Sequence, residues 1–139
     1  MQDIYSTVKT DKGLRKLLHY LETAGLAATL QSGGPFTLFA PDDDAFNRMD
    51  IEKDLVELAK LKETMNYHLV SGRYRADEIR EMEDLVTESG KSLTVALDEG
   101  QTVVDNGKFV RTDIECSNGL IHVIDNVFQP HISGWYREE

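Results

Sequence analysis

The chain has 139 residues, 40% of them hydrophobic and 29% charged, a balance that suits one soluble globular domain burying its own core. A net charge of −10 lacks the basic stripe that nucleic-acid binding needs, and no apolar run approaches the roughly 20 residues of a membrane-spanning helix. Neither a nucleic-acid partner nor membrane insertion is therefore expected, and the single cysteine, Cys116, excludes an intrachain disulfide framework.

The charge is uneven. Residues 1–40 hold four bases and three acids, whereas the remainder holds 11 bases and 22 acids, so the acidity belongs to the body of the chain. Its plain meaning is solubility; its sharper meaning is a surface that prefers cations or basic partners. Met1-Gln2-Asp3-Ile4 has neither the basic nor the apolar region of a signal peptide, which leaves a cytoplasmic chain and a processed one both open.

Asp3 is placed to cap a short helix holding Ile4 and Val8. Thr10 or Asp11 is read as the start of a longer helix, because Leu14, Leu17, Leu18 and Leu21 recur on one face, with Gly25 as its stop. His19 falls outside that stripe and is expected to be exposed. Leu26 to Leu30 adds a further helical turn before Gly33-Gly34.

Phe36-Thr37-Leu38-Phe39-Ala40 is aromatic and β-branched, and Pro41 stops it as a strand because proline has no N–H for a ladder. Asp42-Asp43-Asp44 follows. A calcium loop would need acidic or amide ligands at its first, third and fifth positions and then glycine; counted from Asp42, the fifth is Phe46 and the sixth Asn47. The triplet therefore reads as a helix start carrying Ala45 and Phe46 inward, and no metal or cofactor site is expected.

A helix is expected from about Glu52 to Ala59, then a second with Leu61, Met65, His68 and Leu69 on one face, ended by Ser71-Gly72. On that helix His68 reads as a buried, hydrogen-bonded imidazole and Tyr67 as partly exposed. Arg73-Tyr74-Arg75 reads as an extended link, and Asp77 as the cap of a small helix with Ile79 and Met82.

From Leu85 the period becomes strand-like: Leu93, Val95 and Leu97 alternate with Thr94 and Ala96. Ser89-Gly90-Lys91 and Asp98-Glu99-Gly100 are turn clusters. Asn106-Gly107 is the strongest hairpin signal, with both residues expected at positive φ. Ile114 and Cys116 alternate with Asp113 and Glu115, which makes Cys116 a small core residue rather than a nucleophile. After the Asn118-Gly119 turn, Leu120 to Val127 is nearly continuous and apolar, so it reads as a strand buried on both faces, with His122 structural within it. Helices first and antiparallel strands later make an α+β domain with one core over residues 1–139, loosely ordered from about residue 131.

Two stretches carry a family resemblance. Thr37-Leu38-Phe39-Ala40-Pro41 with Asp44-Ala45-Phe46, and Asn118-Gly119-Leu120-Ile121-His122-Val123-Ile124-Asp125 with Val127, Phe128 and Pro130, resemble the paired signatures of the fasciclin domain. Tyr67-His68 matches that family's Tyr-His motif between them. The resemblance implies a β-wedge or sandwich of short, mostly antiparallel strands with helices packed against it. It also implies a non-enzymatic protein-interaction or cell-adhesion module, extracellular, periplasmic or at the cell surface. In animal members integrin recognition is assigned to the Tyr-His region and to an Asp-Ile motif, which here correspond to Tyr67, His68, Asp113 and Ile114. The family often has threonine where this chain has Asp42, and Thr112 and Glu115 flank Asp113-Ile114 in place of the fuller animal motif. The single-domain length resembles bacterial or archaeal members. Two other readings stay open: a small-ligand or enzymatic pocket near His68, and weak self-association through Phe128 and Trp135.

Overall fold

Two runs with strand character in the sequence, Phe36–Pro41 and Gly119–Ile124, lie side by side in parallel. The computed structural model describes residues 1–49 and 54–129. Among these, the elements run α1 (Ile4–Thr10), α2 (Arg15–Thr23), α3 (Ala27–Ser32), β1 (Phe36–Pro41), α4 (Asp43–Met49) and a 3-10 turn (Asp54–Val56). They continue as α5 (Leu58–Asn66), β2 (Leu69–Ser71), α6 (Ala76–Ile79), β3 (Asp84–Val86), β4 (Ser92–Asp98), β5 (Gln101–Val104), β6 (Gly107–Cys116) and β7 (Gly119–Ile124). The result is α+β, as expected.

The strands form one mixed sheet in the order β2-β1-β7-β6-β5-β4-β3, antiparallel throughout except where β1 meets β7. Beyond β3, Thr87 bridges back to Val70, and the Glu88 N–H donates to the Leu69 carbonyl at 2.8 Å. The two ends of the sheet thus touch. The sheet bends around one apolar cluster and lays its other face on the helices.

Strand alternation divides these two cores. On the helix side Leu38, Ala40, Ile121 and Val123 pack with Ile4, Leu17, Leu21, Leu30 and Phe46. Within the bend Phe39 and Ile124 pack with Tyr67, Val70, Leu85, Leu93, Val104 and Phe128. Every residue of β7 is buried, as its unbroken apolar run implies.

Asn118 ties the helices to the start of the central strand pair. Its Nδ2 donates to the Leu30 and Gly33 carbonyls at 2.8 and 2.9 Å, and its Oδ1 accepts from the Ile4 N–H at 2.9 Å. Its own carbonyl accepts from Phe36 N–H at 3.0 Å. Next to it, Gly119 has no alternative: a Cβ there would sit 2.0 Å from the Phe36 carbonyl oxygen.

The acidic triplet divides its work. Asp42 caps its own helix, its Oδ1 accepting from Ala45 N–H at 2.9 Å, as expected. Asp43 accepts from Lys16 N–H at 2.8 Å and so caps α2 from a distant part of the chain. For that reason α2 starts at Arg15 rather than at Thr10 or Asp11, while Asp11 turns back to the Gly13 N–H at 2.9 Å.

Other expectations need correction. α5 ends at Asn66, and Leu69 to Ser71 joins the β1 ladder, so Tyr67 and His68 occupy a turn rather than a helical face. Pairing of apolar Leu69 and Val70 with a buried strand outweighs the helical spacing. The expected helix from Glu52 to Ala59 lies partly outside the described residues; its described part is a 3-10 turn over Asp54–Val56, and Leu58 and Ala59 already belong to α5. β7 stops at Ile124, because Asp125 turns its carboxylate onto the Lys108 N–H at 2.8 Å. At the hairpin, Val104 pairs with Gly107, so Asp105 and Asn106 make the turn and Asp105 takes the positive φ of 57°. Gly107 leaves room beside the Phe128 ring, which a Cβ there would approach to a tight 3.2 Å. Residues from 130 on, including Trp135, lie outside the described residues.

Replacing Asn118 with alanine strands one N–H and two carbonyls in a largely buried setting, which should lower unfolding free energy by roughly 2–4 kcal/mol. Urea unfolding checks it: the midpoint falls with an unchanged slope.

Candidate functional site

Of the four positions that the resemblance marks, two are interior. Tyr67 and His68 both have 0% exposure, which corrects the expectation of a partly exposed Tyr67. The Tyr67 hydroxyl donates to the Ser92 carbonyl at 3.2 Å and also hydrogen-bonds the Asp105 carboxyl. His68 lies parallel to Phe128, ring centroids 4.8 Å apart. Phe128 is itself fully buried, which removes it from any self-association surface.

The partners of His68 determine its tautomer. Nδ1 lies 2.7 Å from the Thr64 carbonyl and must donate; Nε2 accepts from the Phe128 N–H at 3.0 Å and must be bare. His122 uses the opposite tautomer: Nε2 donates to the Tyr74 carbonyl at 2.8 Å, and Nδ1 accepts from the Asp113 N–H at 3.1 Å. Each imidazole is buried, neutral and saturated by backbone. Protonating either would set an N–H against an N–H in a low-dielectric interior.

Phe39 joins the two histidines. Its N–H donates to the His68 carbonyl at 2.9 Å, and its register partner in β7 is His122. Its ring centroid lies 5.8 Å from that of Phe128 and 5.9 Å from that of His122. Opposite His122, β6 bulges: Arg111 pairs with Val123 and Ile114 with Ile121, so Thr112 and Asp113 together face one residue. A single row through the bent sheet therefore connects His68, Phe39, His122 and Asp113.

Asp113 and Ile114 are half-buried. At φ 57° the Asp113 Oδ1 accepts from Ala76 N–H at 2.9 Å, so Asp113, not the expected Asp77, caps α6. Ile114 packs partly against the helix-side core. Beside them Arg75 and Glu115 form an exposed ion pair at 3.0 Å. Arg75, Arg80, Thr102, Phe109 and Asp113 line a shallow cleft of about 370 Å³ here. The Tyr-His and Asp-Ile positions thus share one internal network but not one surface. The Arg75–Glu115 pair escaped sequence reasoning because its two members lie far apart in the chain and meet only in the folded sheet.

Against known proteins, the model of the Fasciclin domain matches residues 12–130, and the chain belongs to this family. Its relatives include "Uncharacterized protein sll1735" of Synechocystis, 32% identical, with 91% of this chain and 97% of that one covered. Human periostin is 29% identical over 93% of this chain but 16% of its own, and pig transforming growth factor-beta-induced protein ig-h3 is 27% identical over 94% and 20%. A solved FAS1 domain pair from the insect cell adhesion molecule Fasciclin I shares the fold, with a TM-score of 0.81 at 20% identity over 94% of this chain and 51% of that one. The wedge implied by the resemblance is thus the fold observed.

Two predictions follow from the geometry. Burial lowers the His68 pKa to about 4 from an ordinary 6.5, and burial lowers that of His122 too. Between pH 6.5 and 4 the unfolded chain binds a proton that folded His68 refuses, so stability is full above pH 6.5 and falls on acidification by roughly 3 kcal/mol. Asp105 opposes this, because burial raises its carboxyl from 3.8 to about 6 and the folded chain takes up that proton first. Asp105 is partly exposed, so its offset is the smaller. Urea titrations at pH 7 and pH 4 should therefore show a steeper acid loss in Asp105→Asn than in the parent, and a flat Asp105→Asn would mean that His68 does not resist protonation.

The cap supplies the other. Asp113→Ala loses the Ala76 bond and leaves a β-carbon at positive φ, lowering stability by about 1–2 kcal/mol; Asp113→Asn, which accepts the same bond and tolerates that φ, stays within about 0.5 kcal/mol. Thermal unfolding of the two variants separates them.

Proposed function

We propose that the chain is a non-enzymatic protein-interaction module of the fasciclin type, working outside the cytoplasm at or near a cell surface, with a protein partner. The observation that carries this reading is the use of the two interior histidines: His68 and His122 commit both ring nitrogens to backbone groups, which leaves neither of these imidazoles free to act as a base. Chemistry near His68 would require that network to break.

Tyr67 and His68 act in this reading by holding the loops, and Asp113 and Ile114 by shaping the bulge that presents Arg75 and Glu115. Exposed, oppositely charged groups around a half-buried apolar residue suit a modest, salt-sensitive protein contact. The membership in a family that includes a domain pair of a cell adhesion molecule supports the same reading. Among the described residues, no helix is long and apolar enough to cross a membrane.

The test is retention of surface and secreted proteins of the source organism on the immobilised domain. The expected result is saturable binding of a defined protein, reduced about tenfold when Arg75 and Glu115 are both changed to alanine. Turnover or tight binding of a small metabolite, with no protein retained at micromolar concentration, would overturn the proposal.

A further inference from the structure

The seam where the two ends of the sheet meet is only partly closed. β2 and β3 join through the Val70–Thr87 bridge and the Glu88 N–H to Leu69 bond, then separate. Gly72, at φ 108°, turns the chain away after Ser71, and its N–H bonds back to the Pro35 carbonyl at 2.8 Å. The separation leaves a cleft of about 710 Å³ between Val70, Ser71 and Tyr74 on one side and Met82 to Glu88 on the other.

β3 faces this cleft with backbone to spare. Val95 N–H donates to the Glu83 carbonyl at 2.9 Å and Thr87 N–H to the Lys91 carbonyl at 3.0 Å, so hydrogen-bonded pairs with β4 fall at Glu83, Leu85 and Thr87. By alternation, the N–H and C=O of Asp84 and the N–H of Val86 point away from β4, toward the seam, while the Val86 carbonyl faces the Ser71 N–H across the Val70–Thr87 bridge. The side chains around them are apolar at the base, with Tyr74, Met82 and Leu85, and acidic at the rim, with Glu83, Asp84 and Glu88 exposed. Val86 is 62% exposed at the opening. None of the three rim acids has an ion-pair partner among the described residues.

We infer that this seam takes an extended, basic segment of a partner protein, laid beside Asp84 where the line of β2 breaks off after Ser71. Main-chain bonds to the outward groups of β3 hold the segment, and alternate side chains reach the apolar base and the acidic rim. The inference rests on the interaction-module reading and adds a surface distinct from the Arg75–Glu115 face. The rim selects the occupant: three exposed carboxylates on a chain of net charge −10 attract lysine and arginine. The same charge opposes pairing of this edge with a second copy of itself.

The probe is an acetylated, amidated lysine–valine hexapeptide, with the glutamate–valine hexapeptide as control, titrated into the isotope-labelled domain. The basic peptide should shift the Asp84 and Val86 amide resonances and slow solvent exchange of the Asp84 N–H by about tenfold at saturation. Its affinity should fall about threefold or more between low and physiological salt, and the acidic peptide should leave these signals in place. Asp84→Lys with Glu88→Lys should weaken binding about tenfold; should that pair fail to fold, Asp84→Asn with Glu88→Gln reads the same loss.

No binding of the basic peptide, equal shifts with both peptides, or shifts confined to another face would overturn the proposal, as would slowed diffusion of the free domain showing that a second copy fills the seam. A partner protein retained by the immobilised domain and unaffected by the charge variants would also overturn it while leaving the interaction-module reading intact. Loss of that partner in the same variants would support both.

Discussion

The parallel pairing of β1 with β7 is the constraint on which the rest of the structure depends. It runs from Phe36 against Gly119 to Pro41 against Ile124, and both strands carry buried side chains on both faces. A parallel pair so enclosed needs cover on each side, and here the helices supply one cover and the bent remainder of the sheet the other. Each device described above serves this pair. Asn118 fastens its start to α1 and α3, Gly119 permits its closest approach, and the Asp42 cap begins a helix directly where it ends.

The two family signatures are therefore one physical object. Far apart in sequence, they are the two strands of a single ladder, and Phe39 and His122 are register partners within it. The Tyr-His pair belongs to the same row, since His68 accepts from the Phe39 N–H and stacks on Phe128. Burial is the common reason for these residue types: an imidazole offers one donor and one acceptor on a flat ring, which closes a backbone gap inside an aromatic cluster without an unsatisfied atom. This accounts for histidines at positions that would otherwise read as sites of chemistry.

Much of the fold was legible in the chain, and the failures share a cause. The strand at Phe36–Ala40, the buried run after Gly119, the Asp3 and Asp42 caps and the exposed His19 follow from local patterning and hold in the structure, although Pro41, expected to stop the strand, pairs with Ile124 as its last residue. The misplaced boundaries are those set by a distant partner. Asp43 delays the start of α2, Asp113 takes over the cap of α6, and β1 pulls Leu69 and Val70 out of the helical register. Gly107 was legible as a turn residue but not as a neighbour of the Phe128 ring. The candidate site was half legible: burial of His68 follows from its apolar neighbours, but burial of Tyr67 and the bulge at Asp113 depend on contacts across the sheet.

The central ladder has a temporal consequence as well as a spatial one. Its two strands are made early and late in synthesis, so while the chain is being translated β1 waits without its neighbour until residues 119–124 leave the ribosome. Until then, Leu38, Phe39 and Ala40 have only the short β2 for a ladder partner, and the helices α1 to α3 lack the strand face they pack on. A topology closed by its last strand folds late and all at once, and its long loop closure places it among the slower small domains. In a domain of this design the Phe36–Pro41 segment is the one left longest with an open edge.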